Sequence, residues 1–265
     1  MVVFADAGDT FEASEFVIFG SPGDRTSSFR RGSRLAPLAI RMASYNFETF
    51  DPDTGTDLDD IAVHDAGDVT PEADTIEEMT LRVLRAGKIP LILGGEHTLT
   101  IGACRAHELD VVYIDAHADF RDEYLGERIC HATVARRLSE AGHRIVHIGL
   151  RSISRDEYPA FERSVTSFSG DLSVDELDDA LSTRQIYLTL DMDAIDPAEA
   201  PGVANPEPCG IPSAKVRNII THLASRIAGM DVVEVCPPYD DGTTALLAAY
   251  LVRHAIHRIA AADRR

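Results

Sequence analysis

Acidic and histidine side chains that can ligate divalent metals are concentrated in three short stretches of the sequence. Those stretches contain six candidate ligands: His97, Asp115, His117, Asp119, Asp191 and Asp193. Two imidazoles and four carboxylates suit a borderline-hard ion such as manganese better than a thiolate-loving one. Six ligands exceed what one ion needs, whereas two bridged ions would use them all and would activate a water near neutral pH. The residues therefore predict a two-metal hydrolytic site.

The spacing within two of these stretches is also informative. Asp115, His117 and Asp119 alternate, as do Asp191 and Asp193, so each set would face one side of an extended chain. A lone Asp-x-Asp pair at a strand end is usually a turn or a helix cap. Three ionisable groups directly after an apolar strand would, however, be costly to bury unpaired. Two such clusters in one chain therefore favour metal binding.

Apolar, β-branched runs alternate along the chain with helical patterns, which predicts the elements that position these residues. The predicted strands cover residues 16–19, 61–63, 90–93, 111–114, 145–148, 186–190 and 232–235. The predicted helices run from 70 toward 87, over 132–141, from 213 to near 229 and over 242–262, with a short one at 37–43. This alternation predicts an α/β fold with a mostly parallel sheet and helices on both faces. Without a linker or repeat, we expect one domain over residues 1–265.

Parallel strands deliver their ligands at their carboxyl ends, and the candidate residues lie at such ends. His97, Asp115 and Asp191 each follow a different predicted strand, and Glu234 lies near the end of the last one. Four strands should therefore bring acids and histidines to one edge of the sheet.

The overall composition restricts the class of protein. A chain of 265 residues that is 45% hydrophobic is typical of a folded α/β domain. No apolar run approaches the roughly 18 residues of a membrane span, and the first residues are acidic where a signal peptide would be basic. The four cysteines form no Cys-x-x-Cys pair, which argues against a zinc ribbon or a disulfide scaffold. We expect a cytoplasmic protein with reduced thiols.

The formal net charge of −19 argues against nucleic acid and anionic membranes as partners and suits a small cationic substrate. Only Lys88 and Lys215 are lysines, and such an acidic, lysine-poor composition suits a halophilic source. Because salt screens repulsion between surface carboxylates, we expect the melting temperature to rise between low salt and molar potassium chloride. An unchanged thermal melt would argue against a halophilic source.

Three sequence motifs resemble signatures of the ureohydrolase family, which contains arginases and agmatinases. Residues 94–98 (Gly-Gly-Glu-His-Thr) resemble the first signature, which usually reads Gly-Gly-Asp-His-Ser. Residues 115–119 (Asp-Ala-His-Ala-Asp) resemble the second, and residues 190–202 resemble the third. Residues 20–24 and 233–237 add supporting matches, so the resemblance covers almost the whole chain. The departure at Glu96 is expected to matter little, because the ligand is the neighbouring His97.

The resemblance implies a three-layer α/β/α fold and a two-manganese site that hydrolyses a guanidino group to urea and an amine. By resemblance, one ion would be held by His97, Asp115, Asp119 and Asp191, and the other by His117, Asp115, Asp191 and Asp193. Asp119 would steer the attacking water, and Glu234 would orient the substrate's guanidinium. His131 matches the family's proton-shuttling histidine and would protonate the departing amine.

The substrate is predicted less sharply than the site. Arginases hold the amino-acid end of arginine with a Ser-Gly-Asn type loop, and residues 124–130 lack that set. They resemble archaeal agmatinases instead, which implies hydrolysis of agmatine to putrescine and urea in polyamine biosynthesis. Aminopropylagmatine, guanidinobutyrate and arginine stay open as alternative substrates. The family also implies a homo-oligomer, either a trimer or a hexamer.

Two other functional classes remain as alternatives. A single-zinc deacetylase of related fold would need only one Asp-His-Asp set, and the presence of both His97 and Asp193 argues against it. A non-catalytic binding protein would be expected to have lost ligands, and all six are present. Contributions of Cys130, Cys236 and Arg151 to the site stay open.

Overall fold

The computed structural model describes residues 2–263, and its central feature is a parallel sheet. Eight strands form this sheet: β1 (Phe16–Ser21), β4 (Val63–Asp68), β5 (Ile89–Gly94), β6 (Asp110–Ile114), β7 (Ile145–Ile148), β8 (Val165–Phe168), β9 (Ile186–Asp191) and β10 (Ile227–Val233). Their order is β4-β1-β5-β10-β9-β6-β7-β8, and every neighbouring pair is parallel. Two short strands, β2 (Phe50–Asp51) and β3 (Thr56–Asp57), form a separate antiparallel pair.

Helices cover both faces of the sheet. They are α1 (Ala36–Ser44), α2 (Ala73–Arg85), α3 (Leu99–Arg105), α4 (Val134–Glu140), α5 (Tyr158–Ser164), α6 (Val174–Ala180), α7 (Ser213–Leu223) and α8 (Thr243–Asp263). Side chains of α1, α6, α7 and α8 share one buried apolar cluster, and those of α2 to α5 share another. Along β6, Val112 and Ile114 enter the first cluster while Val111 and Tyr113 enter the second. The predicted three-layer α/β/α architecture is therefore confirmed.

Several element boundaries differ from the sequence prediction. The prediction missed β8, α3, α5 and α6, and β4 begins at Val63, later than predicted. The helix predicted to run to residue 229 ends at Leu223, because Ile227 already enters β10. Gly229 is therefore a strand residue. A Cβ atom at that position would lie 3.0 Å from the Tyr187 ring, so the missing side chain makes room for the tyrosine. In the part of the chain described, no helix is long and apolar enough to cross a bilayer.

The four strands that carry the predicted site are neighbours at the centre of the sheet. In register, Ile114 of β6 lies beside Leu190 of β9, and Asp191 lies beside Val233 of β10. Val232 of β10 in turn pairs with Leu93 of β5. The residues that follow these strand ends therefore emerge side by side on one edge, where parallel sheets bind ligands.

The loop after β5 is held by close backbone packing. The N–H of Glu96 donates to the carbonyl oxygen of Gly23 at 2.7 Å. A Cβ atom on Gly95 would lie 2.0 Å from the same carbonyl oxygen, so only glycine fits at this position. This contact explains why a glycine precedes Glu96, and it fixes the position of His97 in the loop that follows β5.

Candidate metal centre

Two groups of ligand atoms meet at this edge of the sheet and share one aspartate. In the first group, Nδ1 of His97 lies 3.2 Å from Oδ2 of Asp115 and 3.2 Å from Oδ2 of Asp191. In the second group, Nδ1 of His117 lies 3.0 Å from Oδ2 of Asp193 and 3.6 Å from Oδ1 of Asp115. The structure thus brings together side chains from the ends of three strands, with Asp115 between them.

Asp119 and Glu234 join this cluster from strained backbone positions. The φ angle is 46° at Asp119 and 64° at Glu234. Residues other than glycine rarely adopt this left-handed backbone conformation. Oδ2 of Asp119 lies 3.5 Å from Nδ1 of His97 and accepts a 2.8 Å hydrogen bond from the Tyr113 hydroxyl. Strain of this kind costs about 1–3 kcal/mol per residue and is typical of functional sites.

The extended geometry predicted for the two aspartate motifs is wrong. Strand β6 ends at Ile114, and Oδ1 of Asp115 then accepts the N–H of His117 at 2.6 Å. Oδ1 of Asp191 likewise accepts the N–H of Asp193 at 2.8 Å, at the start of a 3-10 turn. One oxygen of each leading aspartate therefore caps a turn while its other oxygen faces the neighbouring imidazole of His97.

The charges in the cluster perturb one another strongly. Burial, followed by repulsion between the carboxylates, raises the pKa of Asp119 and Asp191. Burial favours the neutral form of Asp115 too, but its contacts with His117 and His97 outweigh burial and lower its pKa. Burial opposes charge on both imidazoles, but the adjacent carboxylates raise the pKa of each well above the ordinary value. The raised pKa values favour positively charged imidazoles at His97 and His117, beside these carboxylates.

The donor set fits divalent cations. Oδ2 of Asp115 is buried and accepts no hydrogen bond from any described residue. Within residues 2–263, no lysine or arginine forms an ion pair with the four aspartates of the cluster. Buried carboxylates need a compensating charge, and oxygen and imidazole ligands are those that manganese-like ions take.

Hydrogen bonds behind the cluster orient the His97 ring. The Thr189 hydroxyl donates to Oδ1 of Asp231 at 2.5 Å, so it accepts from Nε2 of His97, which lies 2.9 Å away. Asp231 is fully buried and also accepts from the hydroxyls of Thr100 and Tyr187. This hydrogen bond keeps a proton on Nε2, so Nδ1 is the nitrogen that would release its proton and bind a metal ion, as expected for a ligating histidine.

Tyr113, Thr189 and Asp231 were not predicted as site residues, because each lies inside an apolar strand. A signal was present in β10, where Asp231 is an isolated acid among buried apolar residues. His147 was not predicted either, and its Nε2 donates to the carbonyl oxygen of His117 at 2.7 Å.

A cavity of about 310 Å³ opens over the cluster. The predicted residues that line it are His97, His117, Asp119, His131, Asp191, Asp193 and Glu234. Asp115 is completely buried beneath them. The remaining lining includes Ser28, Tyr124 and Glu157. The structure therefore brings all eight predicted site residues to one location.

Glu234 and His131 occupy different surroundings within this cavity. Oε1 of Glu234 accepts the backbone N–H of His97 at 2.8 Å, and burial raises the pKa of Glu234 to about 8. His131 begins a 3-10 helix (His131–Thr133), and its ring lies between the hydroxyls of Thr26 and Ser28. Burial, followed by positive charge on His117, lowers the pKa of His131 to about 4.

The sequence left open whether Arg151, Cys130 and Cys236 contribute to the site, and the structure shows what each of them contacts. The guanidinium of Arg151 binds main-chain carbonyl oxygens, including those of Asp193 and Glu207, so it pins the backbone and forms no ion pair with a site acid. Cys130 and Cys236 are buried and are not among the residues lining the cavity. Burial raises the pKa of both thiols, that of Cys236 to about 12, which keeps them protonated.

Comparison with known proteins identifies close relatives over nearly the full length. The family model described as the arginase family matches residues 14–257. The agmatinase of Bacillus anthracis is 34% identical over 267 residues, covering 93% of this chain and 92% of its own. The N(1)-aminopropylagmatine ureohydrolase of Thermococcus kodakarensis is also 34% identical, covering 94% and 92%. The solved structure of the agmatine ureohydrolase of Thermoplasma volcanium matches with a TM-score of 0.94 at 39% identity, covering 100% of this chain and 96% of that one.

Proposed function

The chain belongs to the arginase family and is a ureohydrolase, and we propose that it is a two-manganese agmatinase that releases putrescine and urea. One observation carries this proposal. Two ligand groups share Asp115 at the base of a single cavity whose lining also includes Glu234 and His131. A guanidine hydrolase needs a nucleophile, a group that orients the guanidinium and a proton donor, and this arrangement supplies all three.

The ligands divide between two ions. We assign His97, Asp115, Asp119 and Asp191 to one ion, and His117, Asp115, Asp191 and Asp193 to the other. Bound divalent ions would supply Lewis acidity, which makes water nucleophilic near neutral pH. The side-chain contacts support this division, because His97 lies within 3.5 Å of three of the aspartates while His117 lies 3.0 Å from Asp193.

Glu234 and Asp119 position the reactants. Oε1 of Glu234 is engaged by the His97 N–H, which leaves Oε2 for the substrate's guanidinium, whose positive charge would lower the raised pKa of Glu234 and favour a charge-assisted hydrogen bond. The Tyr113 hydroxyl engages Oδ2 of Asp119. Asp119 can therefore orient the attacking water with its other oxygen. Holding both reactants reduces the entropic cost of the attack.

His131 moves the proton. An amine cannot leave as an unprotonated amide ion, so a group near the carbon must deliver a proton to the departing nitrogen. The His131 ring lines the same cavity as Asp119 and Glu234 and is neutral at pH 7, because its pKa lies near 4. It can therefore accept a proton released by water and pass it to the amine.

Agmatine is the favoured substrate because the proteins that resemble this chain in sequence and in structure include agmatinases. The cavity lining also carries more carboxylates than guanidinium groups, since Glu157 joins the site acids there while Arg121 contributes one guanidinium, and this excess of acid suits a cationic substrate. The Thermococcus kodakarensis relative keeps N(1)-aminopropylagmatine as the second candidate.

A panel of urea-release assays in manganese and molar salt tests the proposal. We expect the largest kcat/KM for agmatine among agmatine, aminopropylagmatine, arginine and guanidinobutyrate. A larger kcat/KM for aminopropylagmatine would reassign the substrate within the family. Absence of urea from all four compounds would contradict the proposed activity itself.

A further inference from the structure

Glu96 is adjacent to His97 in sequence, but its side chain serves a different part of the site. Glu96 is only 6% exposed. Oε2 accepts the backbone N–H of Thr26 at 2.7 Å and the Thr26 hydroxyl at 3.0 Å, while Oε1 accepts the Thr98 hydroxyl at 2.9 Å. The replacement of the usual Asp by Glu was expected to matter little for metal binding, but the three donors that reach this buried carboxylate give it a separate role in the site.

The Thr26 hydroxyl connects this carboxylate to His131. The backbone N–H of His131 donates to Oγ1 of Thr26 at 3.1 Å, and Nδ1 of the ring lies 3.2 Å from the same oxygen. At the other side of the ring, Nε2 lies 3.2 Å from Oγ of Ser28, which lines the cavity. Both ring nitrogens therefore have a hydroxyl partner.

A count of protons decides which nitrogen carries hydrogen. A threonine hydroxyl has one hydrogen to donate and two lone pairs that accept. The hydrogen of Thr26 is committed to Glu96, and one lone pair receives the His131 backbone N–H. The other lone pair can only accept, so Nδ1 must carry the ring proton. In the neutral ring Nε2 is then unprotonated, and the Ser28 hydroxyl can donate to it.

We propose that Glu96 is a positioning residue that acts through Thr26 to fix the tautomer of His131, so that Nε2 is the nitrogen that accepts a proton. The consequence for catalysis rests on the proposed function, whereas the tautomer itself does not. In that reaction a C–O bond forms between water and the guanidinium carbon, and the C–N bond to the amine breaks. One proton from water moves to Nε2 of His131 and then to the departing nitrogen, and the second water proton leaves the oxygen as the C–N bond breaks, so the products are neutral urea and a protonated amine. The opposite tautomer has Nε2 already protonated and cannot receive it.

Nitrogen NMR on the full-length chain, ¹⁵N-labelled at histidine, tests this directly. The chelated protein avoids paramagnetic broadening, and a His131→Ala sample assigns the ring signals. In the wild type we expect the proton on Nδ1. In Glu96→Ala the Thr26 hydroxyl is free to donate to Nδ1, so we expect Nε2–H to become populated. In the manganese-loaded protein we expect kcat to fall about 10–100-fold with KM little changed.

Two matched threonine variants separate positioning from folding. Thr98→Val removes another hydroxyl that donates to Glu96 but does not contact His131, so the Nδ1–H tautomer should persist. Thr26→Ser keeps the linking hydroxyl and should keep both tautomer and kcat. If Glu96→Ala fails to fold, Thr26→Val removes the same link from the other end and should also lose the Nδ1–H preference.

A wild-type His131 that carries its proton on Nε2 would overturn the proposal without any variant. So would an unchanged tautomer in both Glu96→Ala and Thr26→Val. Absence of urea release by the wild type would instead contradict the proposed function, and the ring nitrogen signals would still decide the tautomer.

Discussion

Replacement of Asp193 or His117 by alanine is expected to remove most urea release and to leave the chain with about one bound metal ion per molecule. Both residues belong to the second ligand group, where His117 and Asp193 lie 3.0 Å apart. Loss of one ion removes several kcal/mol of charge stabilisation in the transition state. Because each 1.4 kcal/mol is tenfold in rate, we expect kcat to fall at least about a thousandfold.

Turnover and metal content should be measured together for these variants. Asp175→Ala is a suitable control, because it removes an exposed carboxylate of α6 that belongs to neither ligand group. It should retain full activity and two ions. Near-normal turnover in either Asp193→Ala or His117→Ala would rule out the second ligand group as part of the reaction centre.

Replacement of His131 by alanine is expected to lower kcat by about 10²–10⁴-fold, which is the usual contribution of a general acid or base. Metal content should stay at two ions, because neither ligand group contains His131. The ring lies between Thr26 and Ser28 and is only half-buried, so its loss should leave the fold intact. Steady-state kinetics beside metal analysis gives both quantities.

His143→Ala provides the matched histidine control. Its Nδ1 faces the carbonyl oxygen of Leu109, and the ring lines a different cavity from the metal centre. It should leave kcat unchanged. If His131→Ala loses its metal, or if the two variants have equal kcat, the proton-transfer role of His131 is wrong.

The metal ligands could be predicted from sequence because their positions follow from topology. An apolar strand followed by acids and histidines places those groups at the carboxyl edge of a parallel sheet, whatever the exact turn geometry. His97, Asp115 and Asp191 fit this rule, since each lies at or just after the end of a central strand. The prediction failed on local conformation, because it treated Asp115 and Asp191 as extended when each caps a turn.

The supporting residues could not be predicted in the same way. Tyr113 and Thr189 are ordinary strand residues, and only the register of neighbouring strands places their hydroxyls beside His97. The contact of Glu96 with Thr26 was not predicted, because Thr26 lies 70 positions earlier in the chain. Contacts of this range depend on how loops pack after the sheet has formed.

The elements missed from sequence have weak hydrophobic patterns. In β8 the two middle residues are exposed, because the strand lies at the edge of the sheet, so its sequence Val-Thr-Ser-Phe lacks a buried run. Helix α3 has the opposite character. Six of its seven residues are buried, so it shows no polar face with a helical period.

The central claim is that one cavity holds two metal ions that act together on a guanidino group. Stepwise addition of manganese to the chelated full-length chain, with urea release from agmatine measured at each step, tests this most directly. We predict that activity approaches its maximum only at two equivalents of manganese per chain. A maximum already at one equivalent, as a single-metal deacetylase fold would give, or no urea at any manganese level, would contradict the account.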